Sequence, residues 1–475
     1  MLTDNRAWLR PAFLSVAAIT LLRWVLLAFD RTDLYVDEAQ YWLWGQEFAF
    51  GYYSKPPLIA WVIGVVTTVA GSDAPFWVRM PGAALHGVTA LILAALAARL
   101  YGARVALWVA VAYATLPMVA LGSLLMSTDT VMAPCFAAAL YFHRRLTETP
   151  SARFAAFAGV AAGLALMAKY AAVYFLIGVA LAALLRRDQR ISWGNAGVML
   201  AACLVVISPN IAWNLSHQLT TLSHTADNVG WVRSDTPLSN LNPAGLVAFF
   251  VSQFAVMGPI LFAALLVAIV RPKDHHAMAA FVVPAVGIVC VQALLDKAYA
   301  NWAVAAYFAG IILAIKVLDH RPRLVAVSLA INGAFCVLLP LLVIFPTIQL
   351  NDAPLLARQL GRADLSRQII AMAVDKGGIP IYADNRDVLA DLFYTGRDAG
   401  VTIYAPRREG RPRNHYEQRY ALPKGVKGSV LAVTAMPPQC QQPATAFALH
   451  TKGGAYEGNG LAAWVVDAGC LNVAD

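Results

Sequence analysis

Long apolar runs separated by short polar segments dominate the first 346 residues of the chain. Runs of roughly 20 residues recur there, and a run of that length crosses a hydrocarbon core of about 30 Å as a helix. Eleven spans are predicted, at 8–29, 80–100, 105–125, 129–143, 154–168, 170–185, 195–212, 244–270, 277–295, 299–316 and 324–346. The pattern therefore predicts an α-helical polytopic membrane protein.

The composition supports this class and excludes a soluble globule. Of the 475 residues, 59% are hydrophobic and only 13% are charged, whereas roughly 25% of the residues in soluble domains are charged. The net charge of +9 does not indicate a nucleic-acid partner here, because Lys and Arg between apolar spans set membrane orientation and suit anionic lipids.

The distribution of basic residues predicts the orientation of the chain. If the N-terminus is cytoplasmic, fifteen Lys and Arg residues at span ends and in loops fall on the inner side and six on the outer side. Cytoplasmic segments carry the basic excess in membrane proteins, so this orientation is favoured. An odd number of spans then places the C-terminal segment outside, which in a bacterium is the periplasm.

Residues 347–475 differ in composition from the apolar part of the chain. They contain fourteen Lys or Arg residues and twelve Asp or Glu residues. Four runs typical of β-strands (IPIYAD, VTIYAP, SVLAVT, AAWVVD) accompany a helical pattern at 386–395. We therefore expect a small soluble periplasmic α/β domain after a transmembrane domain of residues 1–346.

The soluble segment contains two cysteines, Cys440 and Cys470. An oxidising compartment favours disulfides, so the orientation predicts that these two residues are bonded. Two free thiols remain the alternative, because spacing alone does not show that the Cα atoms come close enough.

The first outer loop, residues 30–79, is long and rich in Tyr and Trp. Its stretch 57–71 is apolar but too short to span, which favours an interfacial or re-entrant helix. Tyr53 and the neighbouring aromatic residues suit the headgroup level, where they form a structural belt or contact a substrate.

Two adjacent acids, Asp37 and Glu38, lie in this loop just beyond a span. An unpaired charge near low dielectric is costly, so a cation, a metal or a proton-transfer role is expected there. The alternative is a pair of solvated loop acids.

Three more charged residues are candidates on the predicted outer side. Lys55 precedes two prolines that stiffen the backbone, which makes it a candidate phosphate ligand. Asp129 opens a span, where a carboxylate can instead cap the helix. Lys169 lies between apolar segments, so it either snorkels to the interface or meets an anion.

Polar side chains suited to sugar hydroxyls occur in two further outer segments. The loop 208–243 contains Asn214 and His217, and the stretch LLDKAYANWAV contains Asn301 and Trp302. His217 and His224 are weak metal ligands because no third ligand follows at a diagnostic spacing. No cofactor is required, and a divalent metal stays open.

Several common catalytic motifs are absent from the sequence. It contains no P-loop, GxGxxG, HExxH or GxSxG motif, so nucleotide hydrolysis, Rossmann cofactors and common hydrolase chemistry lack support. The candidate residues all fall on one predicted side of the membrane. This clustering favours chemistry on that outer face.

A set of short motifs resembles a known enzyme superfamily. The motifs are DEAQYWLW, GYYSKPPL, WVRMPGAAL, TDT, AKY, SPNIAWN and ANW, and they cover most of residues 1–305. Together they resemble the polyprenyl-phosphate-sugar-dependent glycosyltransferases of the integral-membrane C-type superfamily. The nearest branch contains the protein mannosyltransferases and the lipid A aminoarabinose transferase.

The resemblance implies inverting transfer of one sugar from a polyprenyl-phosphate donor to an envelope acceptor at the periplasmic face of the inner membrane. Lipid A or lipopolysaccharide core is the expected acceptor. The implied catalytic residues are Asp37, Glu38 and Asp129, with Lys55 and Lys169 as donor-phosphate ligands. The candidate substrate-binding residues are Tyr53, Asn214, His217, Asn301 and Trp302.

One position departs from the family pattern. A glutamate commonly precedes the KPPL lysine in the aminoarabinose transferases, whereas Ser54 occupies that position here, so their acceptor and metal details do not transfer. Protein O-mannosylation, transport of a lipid-linked sugar and lipid binding without catalysis are the alternatives. A transporter would place charges near the bilayer midplane, often in repeated halves, and neither feature is evident.

Overall fold

A computed structural model describes residues 7–229, 241–271, 276–350, 353–439, 446–451 and 453–472. The chain divides into two units. The helical unit comprises Met1–Ala28, Lys55–Val62 and Arg79–Pro340. The mixed unit comprises Phe29–Ser54, Ile63–Val78 and Leu341–Asp475.

Helices form most of the structure, which confirms the predicted α-helical class. Their bounds are α1 Leu9–Leu27, α2 Val36–Gly45, α3 Leu58–Ala70, α4 Pro75–Tyr101, α5 Ala103–Ala114, α6 Pro117–Leu121, α7 Thr128–Glu148, α8 Ala152–Ala168, α9 Val173–Leu185, α10 Trp193–Ser216, α11 Thr220–Val229, α12 Pro243–Met257, α13 Pro259–Val270, α14 His276–Ala279, α15 Val283–Leu295, α16 Ala305–Leu318, α17 Pro322–Ile344, α18 Arg362–Asp375, α19 Arg386–Thr395 and α20 His415–Arg419. The strands are β1 Gln349–Leu350, β2 Ala353–Pro354, β3 Ile381–Ala383, β4 Ile403–Tyr404, β5 Ser429–Thr434, β6 Ala446–Ala448 and β7 Ala462–Asp467.

Several helices are long and apolar enough to cross a membrane. Among the described residues there are five, and six if the bent pair α12 and α13 counts as one span. That pair, predicted as one span at 244–270, bends by 114°. Gly258 at the break has φ of +89°, and Pro259, which lacks a backbone donor, opens α13. The count of eleven spans stays a prediction.

Small residues bring helices close together beneath the candidate site of the helical unit. A Cβ atom added at Gly159 of α8 would lie 2.1 Å from the Met199 carbonyl oxygen of α10, and one at Gly163 would lie 2.7 Å from Val206 Cβ. Such small-xxx-small spacing is the usual means of close helix contact in membranes. Since α8 also packs against α7, the C-terminal end of α8 has a fixed place.

The mixed unit contains a five-stranded sheet in the order β4-β3-β5-β7-β6. Strand β3 pairs in parallel with β4 and β5, whereas β7 pairs antiparallel with β5 and β6. Strands β3, β4, β5 and β7 lie within the four runs predicted as strands, while β6 was not predicted. Apolar residues of the sheet, including Leu431 and Val433, are completely buried.

Helix α19 occupies 386–395, as the sequence pattern predicts. It packs against α18 on one side and against α2 of the first long loop on another. The first-loop segments Phe29–Ser54 and Ile63–Val78 thus fold together with the C-terminal part of the chain. The predicted helix at 57–71 is α3, Leu58–Ala70.

Candidate active site

In the helical unit, Asp129 and Lys169 form an ion pair. Lys169 Nζ lies 2.7 Å from both carboxylate oxygens of Asp129, and their side chains are only 19% and 12% exposed, respectively. Asn301 Nδ2 donates a third hydrogen bond, of 3.1 Å, to Asp129 Oδ2. Three residues predicted separately from the sequence are therefore brought together.

The surrounding backbone explains how the pair forms. Asp129 lies in the first turn of α7, but the N-cap is Ser127, whose Oγ accepts the Thr130 amide hydrogen. The capping alternative for Asp129 therefore gives way to an ionic role. Lys169 is the C-cap of α8 and has an extended backbone conformation. The anion that Lys169 meets is thus a carboxylate of the same chain.

Asp129 and Asn301 also line a cavity of about 590 Å³ in the helical unit. Most of its other lining is apolar, including Leu121, Phe308 and Leu339. The combination of an apolar wall and a charged edge suits an amphipathic molecule with a long hydrocarbon part.

A hydrogen-bonded cluster of polar side chains begins at Tyr170, the residue after Lys169. Tyr170 Oη donates to Asn210 Oδ1 at 2.8 Å and accepts from Asn214 Nδ2 at 3.2 Å. Asn214 is 2% exposed, and its Oδ1 has no hydrogen-bond partner among the described residues. Asn214 therefore connects α10 to the turn that carries Lys169.

The other predicted substrate-binding residues of the helical unit lie in separate surroundings. His217 follows α10, is exposed, and stacks on Trp213 with the ring centroids 4.1 Å apart. Trp302 lies next to Asn301 and packs against a buried cluster that includes Phe249. Of these two residues, only Trp302 is the sequence neighbour of Asn301, which donates a hydrogen bond to Asp129.

The first-loop acids lie in α2 of the mixed unit. Glu38 is completely buried and accepts the Tyr35 amide hydrogen at 3.0 Å, which forms a capping box at the start of α2. Asp37 is 46% exposed and forms an ion pair with Arg386, with Nη2 2.5 Å from Oδ1. Glu38 is therefore not a solvated loop acid, whereas Asp37 is paired with Arg386 and partly exposed.

Arg386 also contacts a second residue of α2. Its Nε donates to Gln40 Oε1 at 3.2 Å, and Gln40 is 2% exposed. Burial alone would lower the pKa of Arg386, but the Asp37 carboxylate and its hydrogen bond raise the pKa above its usual value. The guanidinium is therefore held in its charged form.

Sequence reasoning missed Arg386, although one signal was present. A cation in the first turn of a helix faces the positive end of the helix dipole, so it requires compensation by an anion. The helical pattern at 386–395 places Arg386 in the first turn, but nothing in the sequence indicates that its partner anion is Asp37.

Tyr53 and Lys55 flank the turn that leads into α3. Tyr53 is 4% exposed, and its hydroxyl donates to the Pro412 carbonyl oxygen at 2.9 Å. Within the mixed unit, Tyr53 thus joins the first loop to the C-terminal segment. Lys55 is half-buried and directly precedes Pro56 and Pro57.

A second arginine of the mixed unit is buried. Arg362 is 2% exposed and lies over the rings of Tyr35 and Tyr456, at 5.6 and 5.4 Å from their centroids. Asp33 accepts the Arg362 amide hydrogen at 2.8 Å. Burial raises the pKa of Asp33, and the backbone hydrogen bond opposes that shift. These contacts fix the start of α18 against the first loop.

The structure bears on the metal site and on the cysteines of the C-terminal segment. The described ranges contain no group of three or more His, Cys, Asp or Glu residues placed to hold a metal ion. Cys440 lies outside the described residues, and Cys470 takes part in a disulfide bond. The pairing of Cys440 with Cys470 stays a prediction.

The sequence has a clear relative over nearly its whole length. It is 41% identical to the lipid A galacturonosyltransferase RgtD of Rhizobium johnstonii, and the alignment covers 97% of this chain and 99% of that protein. The chain belongs to the C-type superfamily of polyprenyl-phosphate-sugar-dependent membrane glycosyltransferases. Residues 54–213 of this glycosyltransferase match the dolichyl-phosphate-mannose-protein mannosyltransferase family.

Solved structures share the fold of this glycosyltransferase. ArnT from Cupriavidus metallidurans in the apo state covers 96% of this chain and 98% of its own, with a TM-score of 0.65 and 13% identity. The form of ArnT bound to undecaprenyl phosphate covers 95% of this chain and 97% of its own, with the same TM-score of 0.65 and 15% identity. These likenesses show a common architecture.

Proposed function

We propose that this glycosyltransferase transfers a galacturonosyl residue from a polyprenyl-phosphate donor to lipid A. The 41% identity to a lipid A galacturonosyltransferase across 97% of the chain carries the proposal. A polyprenyl-phosphate donor agrees with the family description, and an ArnT of the same fold binds undecaprenyl phosphate. Membership in a glycosyltransferase superfamily favours catalysis over the transporter and the passive lipid-binding alternatives.

Asp37 is the general base of the proposed reaction. Its Oδ1 is held by Arg386, whereas Oδ2 makes no hydrogen bond to the described residues, so that oxygen can accept the proton of the acceptor hydroxyl. The hydroxyl oxygen attacks the anomeric carbon as the bond from that carbon to the phosphate oxygen breaks. The polyprenyl phosphate leaves with the electron pair, and the anomeric configuration inverts.

Glu38 and Asp129 support the site rather than transfer the proton. The Glu38 carboxylate caps α2 and is completely buried. Both oxygens of Asp129 bind Lys169, so this carboxylate orients the lysine. Of the three acids, Asp37 is the one that we propose as the base, because its Oδ2 accepts no hydrogen bond from the described residues.

Lys169 and Lys55 bind the donor phosphate in this proposal. Lys169 Nζ has three donor hydrogens, and its contacts to Asp129 leave one for an anion. Positive charge beside the departing phosphate stabilises the charge that develops as the glycosidic bond breaks. The cavity of about 590 Å³ at Asp129 and Asn301 provides apolar surface for the polyprenyl chain.

The sugar and acceptor contacts are proposed from position. Asn301 and Trp302 lie in one short turn beside the ion pair, which makes them the strongest candidates. Asn214 holds the Lys169 turn, Tyr53 bonds within its own unit, and His217 is exposed. Their contacts with substrate are proposed from their sequence positions alone.

The proposed setting is a bacterial inner membrane with the site facing the periplasm. Fifteen basic residues on the inner side against six outside support this orientation over eleven spans. A transmembrane domain of residues 1–346, which includes the loop 30–79, and a periplasmic domain of residues 347–475 complete the proposed arrangement.

Mass spectrometry of lipid A tests the proposed function. Deletion of the gene should remove one hexuronic acid residue from lipid A, and the wild-type gene should restore it, whereas the Asp37→Asn gene should not. Glu47→Gln is a matched control, because Glu47 is an exposed acid of the same loop segment. Unchanged lipid A together with altered protein mannosylation would favour the mannosyltransferase alternative.

A further inference from the structure

Arg386 bridges two residues on the same face of α2. Its Nη2 lies 2.5 Å from Asp37 Oδ1 and its Nε lies 3.2 Å from Gln40 Oε1. Positions three apart on a helix are neighbours, so one guanidinium can contact both side chains. Because Gln40 is buried, the fork of Arg386 has a fixed second anchor besides the carboxylate.

The helix that carries Arg386 is firmly attached to the first-loop segments. Asn385 caps α19 by accepting the amide hydrogens of Asp387 and Val388, at 2.7 and 3.4 Å. At the other end, Tyr394 Oη donates to the Asp73 carbonyl oxygen at 2.6 Å. Arg386 therefore extends from a rigid element whose two ends are both fixed.

An aromatic contact adds to this attachment. The rings of Trp42 in α2 and Tyr394 in α19 meet edge to face, with their centroids 5.0 Å apart. Trp42 Nε1 also donates to Asp73 Oδ1 at 2.8 Å. Helices α2 and α19 thus keep one relative placement, which is the condition for a side chain of one helix to orient a side chain of the other.

We propose that Arg386 is a positioning residue for the reaction, holding Oδ1 of the catalytic base Asp37 so that Oδ2 stays available for proton transfer. The inference rests on the proposed function, in which Asp37 is the base. It gives the C-terminal segment a part in positioning the base, through a residue that is 349 positions from Asp37 in sequence.

The proposal predicts a specific kinetic pattern for Arg386→Met. Loss of the guanidinium frees the Asp37 side chain to rotate, and a misplacement of about 1 Å can cost roughly 10²-fold in rate. We expect kcat to fall by roughly 10- to 100-fold while the KM values for donor and acceptor stay within about twofold. Arg386→Lys should retain part of the rate, because it keeps the charge but loses the fork.

Arg419→Met is the matched control. Arg419 pairs with Glu47 at 2.9 Å, so it too joins the C-terminal segment to the first loop, but it does not touch Asp37. Its kcat should stay within about twofold of the wild type, since exposed pairs contribute little. Equal losses in both variants would show a merely structural role and overturn the proposal.

The experiment uses full-length protein in proteoliposomes with a polyprenyl-phosphate hexuronic acid donor and lipid A. Added guanidinium ion should restore part of the activity of Arg386→Ala but not of Asp37→Asn, which a folding defect would not reproduce. Wild-type kcat in Arg386→Met, or a raised KM at unchanged kcat, would overturn the inference alone. A wild-type protein without transfer would overturn the proposed function and this inference with it.

Discussion

The Asp129 and Lys169 pair permits a quantitative prediction about stability. Asp129→Asn leaves the Lys169 ammonium, whose side chain is 19% exposed, without its counter-charge. Removing one partner of a largely buried ion pair costs about 3–5 kcal/mol. Lys169→Met should be similarly costly, because it leaves the carboxylate of Asp129, which is 12% exposed, without a cation.

The double variant Asp129→Asn/Lys169→Met should lose far less than the sum of the two single variants. A buried pair replaced as a whole is often nearly neutral in stability, so the double variant should lose less than either single variant, which corresponds to a coupling energy above about 3 kcal/mol. Snorkelling would give a different result, because a lysine in water contributes less than about 1 kcal/mol through such a pair.

Reversible denaturant unfolding in mixed micelles measures the free energy of unfolding of the wild type, the two single variants and the double variant, which together form a double-mutant cycle. The exposed pair Arg419 and Glu47, with side chains 55% and 62% exposed, provides the control cycle and should give a coupling below about 1 kcal/mol. If the sum of the two single-variant losses equals the loss in the double variant to within about 0.5 kcal/mol, Asp129 and Lys169 are not a coupled, buried pair and the account is refuted.

Three further predictions concern other parts of the chain. Lys55→Ala should weaken polyprenyl phosphate binding by at least about tenfold in a direct titration, and unchanged affinity would remove the residue from the phosphate site. Non-reducing peptide mapping should recover Cys440 linked to Cys470, and free thiols at both positions would also count against a periplasmic location. Burial, with the charges of Arg419 and Arg386, lowers the pKa of His415 from 6.5 to about 3, so only the unfolded state takes a proton as the pH falls below about 6.5. The free energy of unfolding of the wild type should therefore decrease relative to that of His415→Phe as the pH is lowered from about 6.5 to 3. A constant difference between the two proteins over this pH range would contradict the prediction.

Local sequence pattern predicted most of the apolar helices, α19 and four of the strands, because these depend on neighbouring residues, whereas helices α2, α18 and α20 were not predicted. The run 429–434, which is rich in Val, forms β5, and the helical pattern at 386–395 forms α19 with the same bounds. The break at Gly258 was not predicted, because an apolar run alone does not distinguish one span from two helices joined by a bend.

The candidate site was predictable residue by residue but not as a set of contacts. Each of Asp129, Lys169 and Asn301 carried its own signal, a charge or amide next to apolar sequence, and the packing of α7 against α8 brings the first two together. The partner of Asp37 was not predictable, since Arg386 reaches it only through the tertiary packing of α19 on α2. A solvated charged residue of a loop and a charged residue held by a tertiary ion pair cannot be told apart from sequence alone.

Transfer by the purified enzyme tests the central claim most directly. Full-length protein in proteoliposomes should move one hexuronic acid residue from a polyprenyl-phosphate donor to lipid A, and NMR of the product should show an inverted anomeric configuration. Asp37→Asn should slow transfer by roughly 10²–10⁴-fold, while Glu47→Gln should not. Retention of configuration, or near wild-type turnover by Asp37→Asn, would contradict the account.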